Sequence, residues 1–328
     1  MTAQPAMTNQ VHESEAPVTP PGSGQAIKPT FLGIGSMRCG STWLHRALQR
    51  RPDVHMTTPK QLQYFNKFML TKDLDWFYGH FRPDDGGDVR PVRGEITPFY
   101  SRLSEESVAN VHRLLPGTRI VLAIRNPLDR IWSHILYDWG VCKKKDIGSL
   151  STLSLMNFLQ RQRTIRYTDY ETVIRRWSRH WGAEAVHVDV FDRIKQDSAG
   201  FLHDVLSHIG ANTEVEPEPE ETLAQPVLAA KDLLKKKLEA PPAIRWALAV
   251  QWLPRMRSLN EYLDGRVSHW IEEMDEVAKG PSPSWRAQRA ASRFVTSLPE
   301  RIAYAAYDLK TEMALQSRWK ELLRDCAN

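Results

Sequence analysis

From Phe31 onward, short apolar runs alternate with stretches whose apolar residues recur at helical spacing. Phe31-Leu32-Gly33-Ile34-Gly35 is a continuous run of this kind and predicts a short buried strand. Ser36 to Gly40 reads as a tight loop, after which Leu44, Ala47 and Leu48 mark one face of a helix. Arg119 to Ile124 predicts a second strand, apolar enough to lie inside a parallel sheet. Asn126 can cap the helix that follows, Pro127 suits its first turn, and Ile131, Trp132, Ile135 and Trp139 give it one apolar face. Tyr170, Ile174, Trp177 and Trp181 form another helical stripe, best explained by core packing. Val186 to Phe191 predicts a third strand. Asp197 then caps a helix carrying Phe201, Leu202, Val205, Leu206 and Ile209, and Gly210 ends it. Strands alternating with helices predict an α/β fold: a central parallel sheet flanked by helices in three layers.

The flanks read differently. Residues 1–29 are rich in Pro, Thr, Ser, Gln and Glu, which predicts a disordered leader, and no basic start precedes an apolar stretch as in a signal peptide. Residues 211–225 are acidic and proline-rich, a linker. Residues 226–280 read as helical, with interruptions at Pro241-Pro242 and Pro254, and 299–323 as helical again. No repeat is visible, so residues 30–328 are expected to form one domain with 226–280 as a helical insertion. That insertion sets Lys231, Lys235, Lys236, Lys237, Arg245, Arg255 and Arg257 beside Leu233, Leu234, Ile244, Trp246, Leu248 and Trp252. A solvated helix pair accounts for this; the sharper reading is a lid over a substrate, or a surface for anionic lipid or glycan.

Composition narrows the class. The 328 residues are 41% hydrophobic and 25% charged, enough for a large core. A formal net charge of +5 suits polyanionic small ligands, but no dense Lys/Arg block or nucleic-acid motif accompanies it. Three cysteines without a CxxC pair argue against a disulfide framework or structural zinc, and His112, His187, His203 and His208 lack metal-ligand spacing. No window reaches the roughly 18 uninterrupted apolar residues of a membrane span. A cytoplasmic protein is expected.

The chemistry concentrates in Gly35-Ser36-Met37-Arg38-Cys39-Gly40-Ser41-Thr42. A strand, a glycine-bounded loop and a helix make a phosphate site, because helix N-terminal N–H groups and the helix dipole both favour an anion. Ser41 stands where a nucleotide triphosphatase loop requires Lys, and the loop's cation is Arg38 instead. The strand over 120–124 ends in Arg125 rather than Asp, which is poor for Mg²⁺ and good for a second phosphate.

At this point the chain resembles the sulfotransferase family. Its 5′-phosphosulfate loop, Gly-x-x-Lys/Arg-x-Gly-Thr/Ser-Thr-x-Leu, is met by Gly35, Arg38, Gly40, Ser41, Thr42 and Leu44. Its 3′-phosphate motif, Arg-Asn-Pro…Arg…Ser, is met by Arg125, Asn126, Pro127, Arg130 and Ser133. Lys60 to Phe65 is similar to a Lys-Glu-x-His-Phe/Tyr-Phe segment of heparan-type and bacterial members, with Gln61 for Glu and Gln63 for His. Gly94 to Tyr100 is similar to Gly-Glu-Lys-Ser/Thr-Pro-x-Tyr, with Ile96 for Lys.

The resemblance implies a P-loop-like fold and sulfuryl transfer from 3′-phosphoadenosine 5′-phosphosulfate (PAPS) to a hydroxyl or amine, releasing PAP, with no metal required. It implies that Ser36, Met37, Arg38, Cys39, Gly40, Ser41 and Thr42 hold the 5′-phosphosulfate, Arg125 and Ser133 the 3′-phosphate, and Trp43 the adenine. Arg38 is the implied catalytic cation, Glu95 the implied general base and Lys60 a support for the sulfuryl group. Plainer readings stand beside these: Glu95 capping a strand end or pairing with Arg93, Lys60 at the surface, Trp43 in the core, and Arg130 in a structural ion pair. His134 and His180 are the next candidate bases. An ATP-dependent small-molecule kinase and a non-catalytic nucleotide-binding module are the competing functions. The acceptor (small molecule, glycan or lipid) is left open.

Overall fold

β1 (Phe31–Gly35) lies at the centre of a five-stranded sheet with β2 (Val54–Met56), β3 (Val92–Ile96), β4 (Arg119–Ile124) and β5 (Val186–Val190) in the order β2-β3-β1-β4-β5. The computed structural model describes residues 26–83, 88–144, 146–147, 150–159, 161–214, 239–280 and 298–325. Residues 1–25 of the expected leader, most of the 211–225 linker, and the lysines at 231 and 235–237 fall outside the described residues. All four strand pairings are parallel. Leu32 sits beside Glu95 on one side and Ile120 on the other, so β3 and β4 flank the central strand.

Helices cover both faces. On one, α1 (Ser41–Gln49) and α9 (Ser198–Ile209) pack Leu44, Leu48, Phe201 and Val205 against Phe31, Val121 and Ala123. On the other, α3 (Glu105–Leu114), α4 (Pro127–Ile135) and α7 (Tyr170–Trp181) bury Val111, Ile131, Ile135, Ile174 and Trp177 against Leu32, Ile34, Ile120 and Leu122. The remaining helices are α2 (Leu74–Gly79), α5 (Thr152–Leu159), α6 (Gln162–Arg166), α8 (Phe191–Gln196), α10 (Pro242–Tyr262), α11 (Ser268–Lys279) and α12 (Leu298–Asp325). Three layers result, as the alternation of elements predicts.

The caps act as their chemistry requires. The Asn126 side chain accepts from the Leu128 N–H at 3.0 Å, and Asp197 from the Gly200 N–H at 2.8 Å. Gly210 closes α9 in the left-handed region at φ 74°.

Four readings need correction. Phe191 begins α8 rather than ending β5. Pro254 does not interrupt its helix, since α10 runs through it for 21 residues. The apolar stripe through Trp139 is not α-helical throughout, because Leu136–Cys142 continues α4 as a π-helix. β2 and β3 are additional strands with no strong sequence signature: β2 has three residues, and β3 is broken by Arg93 and Gly94.

The described part of the insertion, α10 and α11, is a hairpin that shares the main core, with Trp246, Trp252 and Trp270 at most 5% exposed. Trp319 of α12 stacks on Phe65 with ring centroids 5.7 Å apart. Among the described residues no helix is long and apolar enough to cross a membrane.

Candidate functional site

Parallel strands deliver their C-terminal ends to one edge of the sheet, where α/β folds place their ligand sites. Three pieces meet at this edge: the loop after β1, Arg125 after β4, and the Lys60–Phe65 segment, which is anchored to β3.

The loop rises from Gly35 and is pinned at its start. The Ser36 N–H donates to the Ala123 carbonyl at 2.7 Å, and the Ser36 hydroxyl to the Tyr167 carbonyl at 2.5 Å. Arg38 has φ 69° and Gly40 φ 86°, both left-handed. At Gly40 a Cβ would lie 2.7 Å from Ile194 Cδ1 and 3.0 Å from Phe191 Cδ2, so the close approach of α8 requires glycine as well. Gly40 is also the N-cap of α1, and no side chain caps that helix. In contrast, α2, α3, α4 and α9 are capped by Asp73, Ser104, Asn126 and Asp197. The first-turn amides of α1 have no intrahelical acceptor, and no acidic residue occupies that turn. The positive end of the helix is therefore left for an anion.

The side chains gather around it. Arg38 Nε donates to Ser133 Oγ at 3.0 Å, joining the two motifs directly. Arg125 Nη1 donates to the Arg38 carbonyl at 3.4 Å, its guanidinium lies 4.6 Å from the Phe191 ring centroid, and Asp129 contacts Nη2 at 3.4 Å. Arg125 Nε is buried with no hydrogen-bond partner among the described residues, a donor that an anion could satisfy. Lys60 Nζ donates to Thr42 Oγ1 at 2.7 Å and lies 3.4 Å from Ser41 Oγ. Burial, with Arg38 and Arg46 nearby, pushes the Lys60 ammonium down to about 8.

Glu95 has 0% exposure. Its Oε2 accepts from the Leu62 N–H at 3.0 Å and the Thr97 hydroxyl at 2.6 Å, and its Oε1 accepts from the Tyr100 hydroxyl. Burial pushes its carboxyl up to about 7, against the downward pull of those three donors. Glu95 does not pair with Arg93, whose Nη1 bonds the Arg90 and Pro91 carbonyls. Through Leu62 it ties down the segment that carries Lys60.

The other expected residues fall as follows. Met37, Ser41 and Thr42 are half-buried at the crest, and Cys39 is fully buried, with its thiol pushed up to about 11 by burial. Trp43 packs edge-on against Phe201 at 5.6 Å, on the α9 side. Arg130 has no ion pair among the described residues: it is fully buried, and its Nη2 donates to Thr168 Oγ1 at 2.7 Å and the Thr164 carbonyl at 3.2 Å. His134 is buried against Phe158 and Tyr167, and His180 pairs with Glu105 at 3.1 Å.

Two features escaped the sequence reading. Tyr137, in the π-helix, presents its ring to Arg38 at 4.9 Å. Glu273 of α11 accepts from Asn126 Nδ2 at 2.6 Å and holds Arg245, so the hairpin abuts the Arg125-Asn126-Pro127 motif. A tyrosine one turn past Ser133 was visible, but nothing in the sequence marks a π-helix. Among the described residues no group of three His, Cys, Asp or Glu is placed to hold a metal.

A sulfotransferase domain family model matches residues 28–226. Membrane-associated sulfotransferase kil1 of Dictyostelium discoideum is 28% identical over 113 residues, 34% of this chain and 24% of that protein. Bifunctional heparan sulfate N-deacetylase/N-sulfotransferase 1 of Xenopus tropicalis is 25% identical over 203 residues, 57% of this chain and 23% of that protein. The chain thus spans about a quarter of the length of these relatives. A crystal structure of a sulfotransferase from Alicyclobacillus acidocaldarius shares the fold, with TM-score 0.59 and 19% identity over 74% of this chain and 98% of that one.

Proposed function

The chain belongs to the sulfotransferase domain family, and from that premise we propose that it transfers a sulfuryl group from PAPS to a hydroxyl or amine acceptor. The observation that carries the reading is the 3.0 Å bond between Arg38 and Ser133, with Arg125 reaching the Arg38 carbonyl. The two motifs, whose bonded residues lie 95 apart in sequence, thus come together in one cationic cluster, which supports their acting on one ligand with phosphate at two ends.

In this reading the loop amides and the Ser41 and Thr42 hydroxyls hold the 5′ end, and Arg125 with Ser133 holds the 3′-phosphate. Sulfuryl transfer resembles phosphoryl transfer: charge moves toward the leaving oxygen, and fixed cations stabilise it. Arg38 and Lys60 are the cations at that end. The S–O bond to the donor phosphate breaks, a bond from sulfur to the acceptor oxygen or nitrogen forms, and the acceptor proton passes to a base. Glu95 is the candidate base, and a carboxyl near 7 is matched to that task. The surrounding chain encloses it, so an acceptor reaches it only if the 60–65 segment shifts. The acceptor is a small molecule, glycan or lipid, and the heparan sulfate N-sulfotransferase names among the relatives make a glycan the first to test.

Thermal unfolding tests the donor assignment. PAP at 100 times its Kd adds about 2.7 kcal/mol of stability, and the increase is expected without magnesium. ATP giving a magnesium-dependent increase, with none from PAP, would favour the kinase reading instead. Glu95→Gln is expected to keep PAP binding and lower kcat by at least about 100-fold; kcat within a few-fold of wild type removes Glu95 as base.

A further inference from the structure

Arg130 presents an electrostatic problem. Its side chain is fully buried, no carboxylate among the described residues pairs with it, and its Nε and Nη1 have no hydrogen-bond acceptor. A buried cation without a counter-ion is among the most costly arrangements in a protein interior. The groups that act on it are the Tyr170 and Tyr167 phenols and the Cys39 thiol, which favour its charge, and a second cation, Arg125, which opposes it; none of them is a carboxylate.

What surrounds it belongs to the donor pocket. Arg130 holds Thr168 and the Thr164 carbonyl, the Tyr167 carbonyl between them receives the Ser36 hydroxyl, and the Tyr170 hydroxyl donates to the Arg125 carbonyl at 2.7 Å. The segment 164–170 therefore stitches Arg130 to both the phosphate loop and the end of β4. A charge shielded from water by protein acts over a longer distance than one at the surface.

We propose that Arg130 is a positioning residue whose countercharge is the doubly phosphorylated donor, attracting it from beneath the loop without touching it. This rests on the donor reading above. In the free protein the buried charge is a liability, and on binding it strengthens the hold on the ligand's phosphates. A purely structural arginine would affect folding and leave affinity alone.

The experiment is calorimetric titration of PAP into the intact chain and three variants. Arg130→Met is expected to weaken PAP at least threefold, and about tenfold if one full charge is lost, without lowering the melting temperature of the free protein. Arg130→Lys retains the charge and is expected to bind within threefold of wild type. Thr168→Val removes one of the two acceptors of Arg130 Nη2 but not the charge, and is likewise expected to stay within threefold. Should Arg130→Met fail to fold, Thr168→Val and Arg130→Lys still decide: a loss beyond threefold in either makes the role one of shape, and overturns the proposal. So does an Arg130→Met protein that binds PAP within threefold of wild type. Wild-type protein that shows no PAP binding ends the donor reading itself, a separate result.

Discussion

Glu95 and Lys60 are two half-way groups on segments joined through Leu62, and their titrations pull in opposite directions. Burial keeps the Glu95 carboxyl protonated up to about 7, whereas burial and two neighbouring arginines strip the Lys60 proton from about 8 upward. If Glu95 acts as base and Lys60 as cation, kcat/KM should rise through about pH 7 and fall through about pH 8, since that ratio reports the free enzyme. Lys60→Met should abolish the falling limb alone; a falling limb that persists places it on another group. The stability sign follows separately. Native Glu95 keeps a proton that the unfolded chain has released above its ordinary 4.5, so stability falls as pH rises from 4.5 to about 7. The fall should amount to about 3 kcal/mol, and denaturant unfolding of Glu95→Gln should lack it. Parallel curves for the two proteins would contradict the burial argument. None of this was legible from the residues: the motif marked Glu95, but only its enclosure by Leu62, Thr97 and Tyr100 explains where its proton goes.

Among the elements, the strand–loop–helix unit at 31–49 was readable because three local signals agree: an apolar run, two glycines and helical spacing. β2 and β3 were not, because β3 is set by its pairing with β1, and β2 by its pairing with β3, and not by their own residues; Gly94 even sits where a Cβ would meet the Phe31 carbonyl at 2.5 Å. The π-helix after α4 escaped for a related reason. Its apolar positions fit an α-helical stripe, and only tertiary contact decides that Tyr137 turns toward Arg38. The glycine cap of α1 carries the sharpest consequence at this scale. Gly40→Ala adds a left-handed penalty of about 1–2 kcal/mol to a 2.7 Å clash with Ile194. It should lower stability by at least that amount and weaken PAP more than tenfold, measured by urea unfolding and titration. Unchanged affinity would mean the loop backbone does not grip the ligand.

For the molecule as a whole, the family match ends at 226, yet the core does not. Trp246, Trp252 and Trp270 of the hairpin and Trp319 of α12 are buried in the same apolar cluster as Leu32 and Ile34. Glu273 meanwhile reaches back to Asn126 within the Arg125-Asn126-Pro127 motif. The sequence reading of 226–280 as an insertion saw its helices but not this dependence, since nothing local tells which core a tryptophan fills. A chain ending at residue 238 should therefore expose apolar surface, bind a hydrophobic dye and lose its cooperative thermal transition. A truncated chain that melts cooperatively near the wild-type temperature would show the hairpin to be dispensable.

The central claim is that Arg38, Arg125 and Ser133 form one pocket that recognises phosphate at both ends of a nucleotide. The most direct test is the ratio of PAP to 5′-AMP affinity, measured by titration in wild type and in Arg125→Ala. A charge-assisted contact to the 3′-phosphate contributes about 1.5–3 kcal/mol or more. Wild type should therefore prefer PAP by at least about tenfold, and Arg125→Ala should bring the ratio close to one. A variant that keeps the wild-type ratio would place the 3′-phosphate elsewhere and contradict the account.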